Sequence, residues 1–197
     1  MRKTTTRSGF APALDCALSM KLTNIASVKQ VAPGVYIFFD AFAKSSCREL
    51  LAEILRHKSA PPNSMNKYGV VLADIGLGPL CERLLNTFVN PFSVEVFPYV
   101  GRMTKVHGFL VNYAVGKQRA LGAHFDDSDV TLNVCLGKSS AGGKLVFLDH
   151  NDRPQIEIGH KVGQAVLHLG AHTHQARAIR SGKRSNLILW CSRSGRK

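Results

Sequence analysis

From residue 92 to its C-terminal end the chain runs through eight short stretches rich in β-branched and aromatic residues, at 94–100, 109–115, 130–136, 144–148, 155–158, 165–169, 176–179 and 186–190. No helical periodicity separates them, and glycines punctuate several of the gaps. This limits the fold more than any other feature. Successive short strands without intervening helices pair in antiparallel fashion, because parallel pairing needs a long crossover. Eight such strands form a sandwich or a barrel, and a jelly roll of two sheets is the natural eight-strand solution. With 197 residues, 45% of them hydrophobic, the chain can fill one such core and has little left for a second.

Upstream of residue 92 the pattern is mixed. A strand is expected at 35–39, after Pro33 and Gly34. Ser46 and Glu49 have capping-box spacing, and Leu50, Leu51, Ile54 and Leu55 recur helically, which predicts a helix over 46–57. A Pro- and Asn-rich loop follows at 60–66, then a second helix over 77–89 with Pro91 just beyond it. The expected layout is a basic, flexible arm at 1–30, a single domain at 31–192 and a basic tail at 193–197. Within the domain, 31–91 supplies helical support packed on the sheet and 92–192 the jelly-roll core.

The net charge of +13 suggests nucleic acid until its placement is considered. Residues 1–30 hold five basic groups against Asp15, and Arg193, Arg196 and Lys197 close the chain, so the two ends carry seven of the thirteen charges. The interior shows no arginine-aromatic face of the kind single-strand binders use. The acid-poor, Ser- and Thr-rich arm has a composition shared by organelle transit peptides and by ordinary disordered arms. No apolar run is long enough to span a bilayer. The five cysteines form no C-x-x-C pair, which points to reduced thiols in a soluble intracellular protein.

His124 and Asp126 stand two apart at the entry to the strand expected at 130–136, and alternate residues of extended backbone project to one side. They make two-thirds of the two-histidine, one-carboxylate set that holds non-haem Fe(II) with positions left open. In isolation this pair arises often by chance. The segment HLGAHTH adds His168, His172 and His174, and Arg184 lies ten residues after His174 across the turn signal Ser181-Gly182. A hairpin there is expected to bring the arginine back beside the histidine strand. An arginine so placed can hold the far carboxylate of a small dicarboxylic acid through a two-pronged contact. Spacing alone leaves the third ligand open. His168 and His172 share the parity of His174, and His150 and His160 are further candidates. Asp127 and Asp129 compete with Asp126, although Asp127 would project to the opposite face.

The stretches HFDDSDVTLNVCLG (124–137) and GQAVLHLGAHTHQARAIRSGKRSNLILW (163–190) resemble the prolyl 4-hydroxylase-type branch of the 2-oxoglutarate and Fe(II)-dependent dioxygenases. Within it, PPNSMNKYGVVL (61–72), FLVNYAVGKQRALGAHFDD (109–127) and the Gly142-Gly143 pair are most similar to the iron-dependent oxygenase domain-containing proteins, with lysyl hydroxylases more distant. The resemblance covers roughly 33–192. It implies a double-stranded β-helix, the cupin-like jelly roll, with N-terminal helices packed on the sheet. It also implies that His124, Asp126 and His174 hold Fe(II), that Arg184 pairs with the 5-carboxylate of 2-oxoglutarate, and that Tyr113 and Asn133 line the cosubstrate site. The segment between the glycine pair and His174 is short, and Ser185 stands where the family commonly has an aromatic residue; both bear on the substrate opening. Gly182 is read as a turn residue, Trp190 as core, and Cys135 and Cys191 as buried, inert thiols.

The function implied is oxidative decarboxylation of 2-oxoglutarate by O2, coupled to hydroxylation of a second substrate, with ascorbate keeping the iron reduced. A protein Pro or Lys side chain is the substrate class suggested; nucleic acid is compatible with the charge but not favoured, and no membrane partner is expected. Two other classes remain: an inactive jelly-roll binding module, which predicts loss of a ligand or of the arginine, and a nucleic-acid-binding protein working through its basic ends.

Overall fold

A computed structural model of the protein describes residues 28–57 and 69–195. The arm up to residue 27, the loop expected at 60–66 and the last two residues lie outside the described residues. Seven strands form a major sheet in the order β1 (Val28–Ala32), β2 (Val35–Phe38), β10 (Ala165–Leu169), β6 (Val130–Lys138), β13 (Lys183–Ser192), β4 (Lys105–Ala114) and β3 (Val70–Val71). A minor sheet runs β5 (Leu121–His124), β11 (His174–Ala176), β8 (Leu145–Leu148) and β9 (Pro154–Ile158). The short strands β7 (Ala141–Gly142) and β12 (Ile179–Ser181) pair with each other. All pairing is antiparallel, as successive strands without crossovers require. The fold is the expected jelly roll.

Both faces of the major sheet are covered, so its central strands read as near-continuous apolar runs; the first seven residues of β6 are all buried. On one face Leu132, Val134, Leu187 and Leu189 pack with three helices, α1 (Lys44–Arg56), α2 (Gly78–Leu84) and α3 (Asn90–Val96). Aromatic contacts tie that layer together, among them Phe38 on Phe92 with ring centres 4.7 Å apart and Phe42 stacked on Phe88 at 5.4 Å. On the other face Val35, Ile37 and Val166 meet Phe147 and Ile158 of the minor sheet. At about 25 cal/mol per Å² of apolar area, these two layers supply most of the driving force for folding.

Several elements depart from the sequence pattern. The first helix starts at Lys44, two residues before the expected capping box, and no side chain caps it. Its entry is fixed instead by Phe42, buried and bonded through its backbone N–H to the Gly163 carbonyl. The second helical run does not stop at Pro91. A π-helical turn at Leu85–Val89 precedes α3, and the Asn90 N–H reaches back five residues to the Leu85 carbonyl. The widened turn makes room for the proline ring, which would collide with the carbonyl of residue i−4 in a regular helix. The helix therefore continues through Val96, a turn follows at 97–100, and the strand expected at 94–100 does not form; Val89, Ser93 and Phe97, all buried, have helical spacing. The strand expected at 176–179 is split between β11 and β12. Strand β1 begins inside the stretch assigned to the arm, and β5, rich in small residues, carries no strand signature at all.

Asn90, 1% exposed, clamps the chain that returns toward β4: its Nδ2 donates to the Met103 carbonyl at 2.9 Å, and its Oδ1 accepts from the Met103 N–H at 2.9 Å. Asn90→Ala would strand both buried backbone groups and is expected to cost about 2 kcal/mol or more. Urea denaturation measures this; a loss under about 0.5 kcal/mol would show that the pair is not needed.

Candidate functional site

The register of β5 and β11 places His124 directly opposite His174, with ring centres 4.3 Å apart. Asp126 follows in the loop after β5, not on a strand as the spacing suggested, and is 3% exposed. That loop is held against the turn after β10: the Asp126 N–H donates to the Gly170 carbonyl at 2.9 Å and the Gly170 N–H to the Asp129 carbonyl at 3.0 Å. The approach is so close that a Cβ on Gly170 would sit 1.9 Å from the Ser128 carbonyl oxygen, which leaves glycine as the residue that fits.

The two carboxylate oxygens of Asp126 are differentiated. Thr131 Oγ1 donates to Oδ2 at 2.6 Å and is itself 2.7 Å from Ser128 Oγ. Oδ1 faces His124 Nε2 at 3.6 Å and His174 Nε2 at 3.7 Å. Each imidazole is fixed through its other nitrogen, His124 Nδ1 to the Gly122 carbonyl at 2.8 Å and His174 Nδ1 to the His172 carbonyl at 2.9 Å. A carbonyl only accepts, so Nδ1 of each ring carries a proton, and in the neutral form Nε2 presents a lone pair. Burial pushes the His174 pKa down, against the pull of Asp126, and favours this neutral form. The three donor atoms lie within 4.8 Å of one another on one side of a cavity, the donor set and facial arrangement a divalent ion such as Fe(II) takes.

That cavity lies between the two sheets and holds about 490 Å³ of empty space, the solvent at its mouth included. Odd-numbered residues of β4 and even-numbered residues of β13 form its far wall, so Tyr113, Arg184 and Asn186 share one face. Arg184 is 3% exposed. Its guanidinium lies 4.7 Å over the Tyr113 ring and donates from Nη1 to the Gly143 carbonyl. Gly143 has φ +68°, and a Cβ there would come within 2.6 Å of Ile179 Cγ2 and 3.4 Å of the guanidinium, which explains the small residue beside the arginine. Among the described residues Arg184 forms no ion pair, so a buried cation stands opposite the ligand cluster without a counter-anion. Burial raises the Tyr113 pKa, keeping it a neutral hydroxyl.

The hairpin expected at Ser181-Gly182 does not set Arg184 beside the histidine strand. The chain crosses there from β12 to the major sheet, where β13 pairs with β4 and β6, so the arginine faces His174 from the opposite sheet. The other candidate ligands divide by burial. His168 is fully buried, with Nδ1 2.9 Å from the Leu169 carbonyl and Nε2 3.7 Å from Asp126 Oδ2, behind the cluster. His172 contributes its carbonyl, His150 is exposed in a turn, and His160 sits behind Asn186. Asp127 is exposed, and Asp129 accepts from the Arg193 N–H at 2.8 Å. Trp190 is half-buried, packs against Phe109 as the core reading expects, and also lines the cavity. Cys47, Cys81, Cys135 and Cys191 are free and buried; burial pushes Cys135 up to about 11, and such thiols are inert. Thr131 and Asn186 were not singled out from sequence, although each shares strand parity with a residue that was, Asn133 and Arg184.

An OGFOD2-like domain model matches residues 2–102. The chain is 38% identical over 210 residues to the 2-oxoglutarate and iron-dependent oxygenase domain-containing protein ICU11 of Arabidopsis thaliana, covering 95% of this chain and 53% of that protein. It is 38% identical to 2-oxoglutarate and iron-dependent oxygenase domain-containing protein 2 of Homo sapiens, covering 76% of this chain and 46% of that protein. The chain thus spans about half the length of these relatives. A Pseudomonas putida prolyl-4-hydroxylase shares the fold, with a TM-score of 0.64 at 17% identity over 83% of this chain and 95% of that one.

Thr131→Val removes the bond that reserves Oδ2 and leaves the three donor atoms in place. Expected is a 10- to 100-fold weaker hold on a divalent metal, roughly the size of such supporting contacts, with the fold retained. Equilibrium metal titration decides; unchanged affinity would mean Thr131 does not orient the carboxylate.

Proposed function

The chain belongs to the OGFOD2-like domain family, and on that premise we propose that it is an Fe(II)- and 2-oxoglutarate-dependent dioxygenase whose metal ligands are His124, Asp126 and His174. One observation carries the reading: Arg184, a buried cation with no ion-pair partner among the described residues, stands across a cavity from two imidazoles and one carboxylate oxygen. An unpaired buried charge is costly, and the cost is relieved when an anion arrives. A dicarboxylic acid that chelates the metal with one end and meets Arg184 with the other suits both walls.

Iron at this site supplies the oxygen chemistry, in which 2-oxoglutarate is decarboxylated to succinate and a C–H bond of the prime substrate is hydroxylated. The chain's own residues do the rest. Gly122 and His172 hold the imidazoles in the tautomer that offers Nε2. Thr131 keeps Asp126 Oδ1 turned to the cavity. Arg184, propped by the Gly143 carbonyl and the Tyr113 ring, fixes the far carboxylate, and Asn133 completes the polar lining. Phe109, Val111, Leu145 and Ile188 supply apolar walls that exclude water.

The prime substrate we assign is a protein Pro or Lys side chain, supported by the prolyl-4-hydroxylase fold neighbour. Ascorbate is proposed as the reductant that keeps the iron as Fe(II), and the free buried thiols support an intracellular setting. Among the described residues no helix is long and apolar enough to cross a membrane.

Three variants test the assignment. His174→Ala is expected to lose stoichiometric iron, whereas His172→Ala, which keeps the backbone carbonyl, retains it. Arg184→Met should retain iron yet raise the 2-oxoglutarate concentration for half-maximal succinate release about 100-fold or more, the scale of a lost two-pronged charged contact. Loss of iron in His172→Ala, or an unchanged 2-oxoglutarate requirement in Arg184→Met, would contradict the assignment.

A further inference from the structure

Beside Arg184 the cavity ends in a small polar network with atoms left over. Asn186, 2% exposed, directs Nδ2 at Asn133 Oδ1, 2.6 Å away, and at His160 Nδ1, 3.0 Å away. An amide NH2 has two protons, and both are spent on these acceptors. His160 is buried, and that burial, with Arg184 and Lys138 nearby, pushes its pKa down to about 3. It is a neutral ring that accepts at Nδ1 and therefore carries its proton on Nε2. Among the described residues, Asn186 Oδ1, Arg184 Nε and His160 Nε2 are all buried without a hydrogen-bond partner. Arg184 and Asn186 stand two apart on one face of β13, and both line the cavity. A carboxylate seated on Arg184 would thus meet the Asn186 carbonyl oxygen, acceptor against acceptor.

The same network has a second arrangement with the opposite polarity. A half-turn of the Asn186 amide brings Oδ1 to the network and Nδ2 to the cavity. A half-turn of Asn133 offers its own Nδ2 to that oxygen, and transfer of one proton from Nε2 to Nδ1 of His160 supplies the second donor. Two internal hydrogen bonds exist before and after, the ring stays neutral, and no charge is created. The gain is an N–H pointing at the carboxylate beside the guanidinium, a charge-assisted bond.

We infer that Asn186 is a specificity-determining residue of this cavity, a reversible amide that turns its N–H to the far carboxylate held by Arg184, with Asn133 and His160 as positioning residues that reverse with it. The inference rests on reading the cavity as the 2-oxoglutarate site.

Two measurements on zinc-loaded protein test it. In the wild-type chain with 15N-labelled histidine, NMR should find the His160 proton on Nε2 without 2-oxoglutarate and on Nδ1 at saturation; the same tautomer in both states overturns the inference. By calorimetric titration, Asn186→Leu should bind 2-oxoglutarate about 10- to 100-fold more weakly than wild type at equal zinc content, the scale of one bond to a charged group. Equal affinity overturns it as well. Should Asn186→Leu fail to fold, the wild-type tautomer decides alone. If wild-type protein binds no 2-oxoglutarate, the cosubstrate reading itself fails and this inference falls with it.

Discussion

The site depends on how one carboxylate is divided. Thr131 occupies Asp126 Oδ2, which leaves Oδ1 as the oxygen shared by two imidazole nitrogens. Nothing in the Asp126 side chain itself distinguishes the two oxygens. The difference comes from β6, which carries Thr131, and from the loop pinned to Gly170, which carries Asp126. The imidazoles are locked by backbone carbonyls, so their orientation follows from the paths of β5 and β11. A cross-strand pair, a loop fixed at a glycine and a single hydroxyl thus arrange the neighbouring donors His124 and Asp126 with His174, which is distant in sequence.

The opposite wall is organised around an unsatisfied charge. Arg184 is buried against an aromatic ring and a backbone carbonyl, partners that soften the desolvation of a cation without neutralising it. Such a site is expected to be paid for by the surrounding structure, here the apolar layers on both faces of the major sheet. The jelly roll sets the two chemistries on different sheets, the ligand cluster on the minor sheet and its loop, the arginine on the major one, and the distance between them is the depth of the cavity.

Much of this is legible in the sequence, and the exceptions have physical causes. The long strands show clearly because sheets buried on both faces demand continuous apolar runs, as in β6 and β10. Strand β5 is invisible because Gly122 and Ala123 carry no β-forming side chains; its register is set by pairing with β11. The path through Pro91 is misread because a local rule about proline yields to a π turn and to the burial of Phe97. The His124, Asp126 and His174 grouping follows from motif spacing once a family resemblance selects among the histidines, and the structure separates His168 and His172 by position. The placement of Arg184 was misjudged, since turn residues at 181–182 predict a reversal but not whether the chain returns to the same sheet. Asn186 and His160 could not be paired from sequence, because loop residues meet strand residues only through the tertiary fold.

The most direct test of the central claim is an anaerobic titration of the protein with Fe(II) and then 2-oxoglutarate, followed in the visible range. The account predicts one equivalent of bound iron and a weak charge-transfer band that appears only once 2-oxoglutarate is added. Iron that fails to bind, or bound iron that gives no band with 2-oxoglutarate, would contradict it.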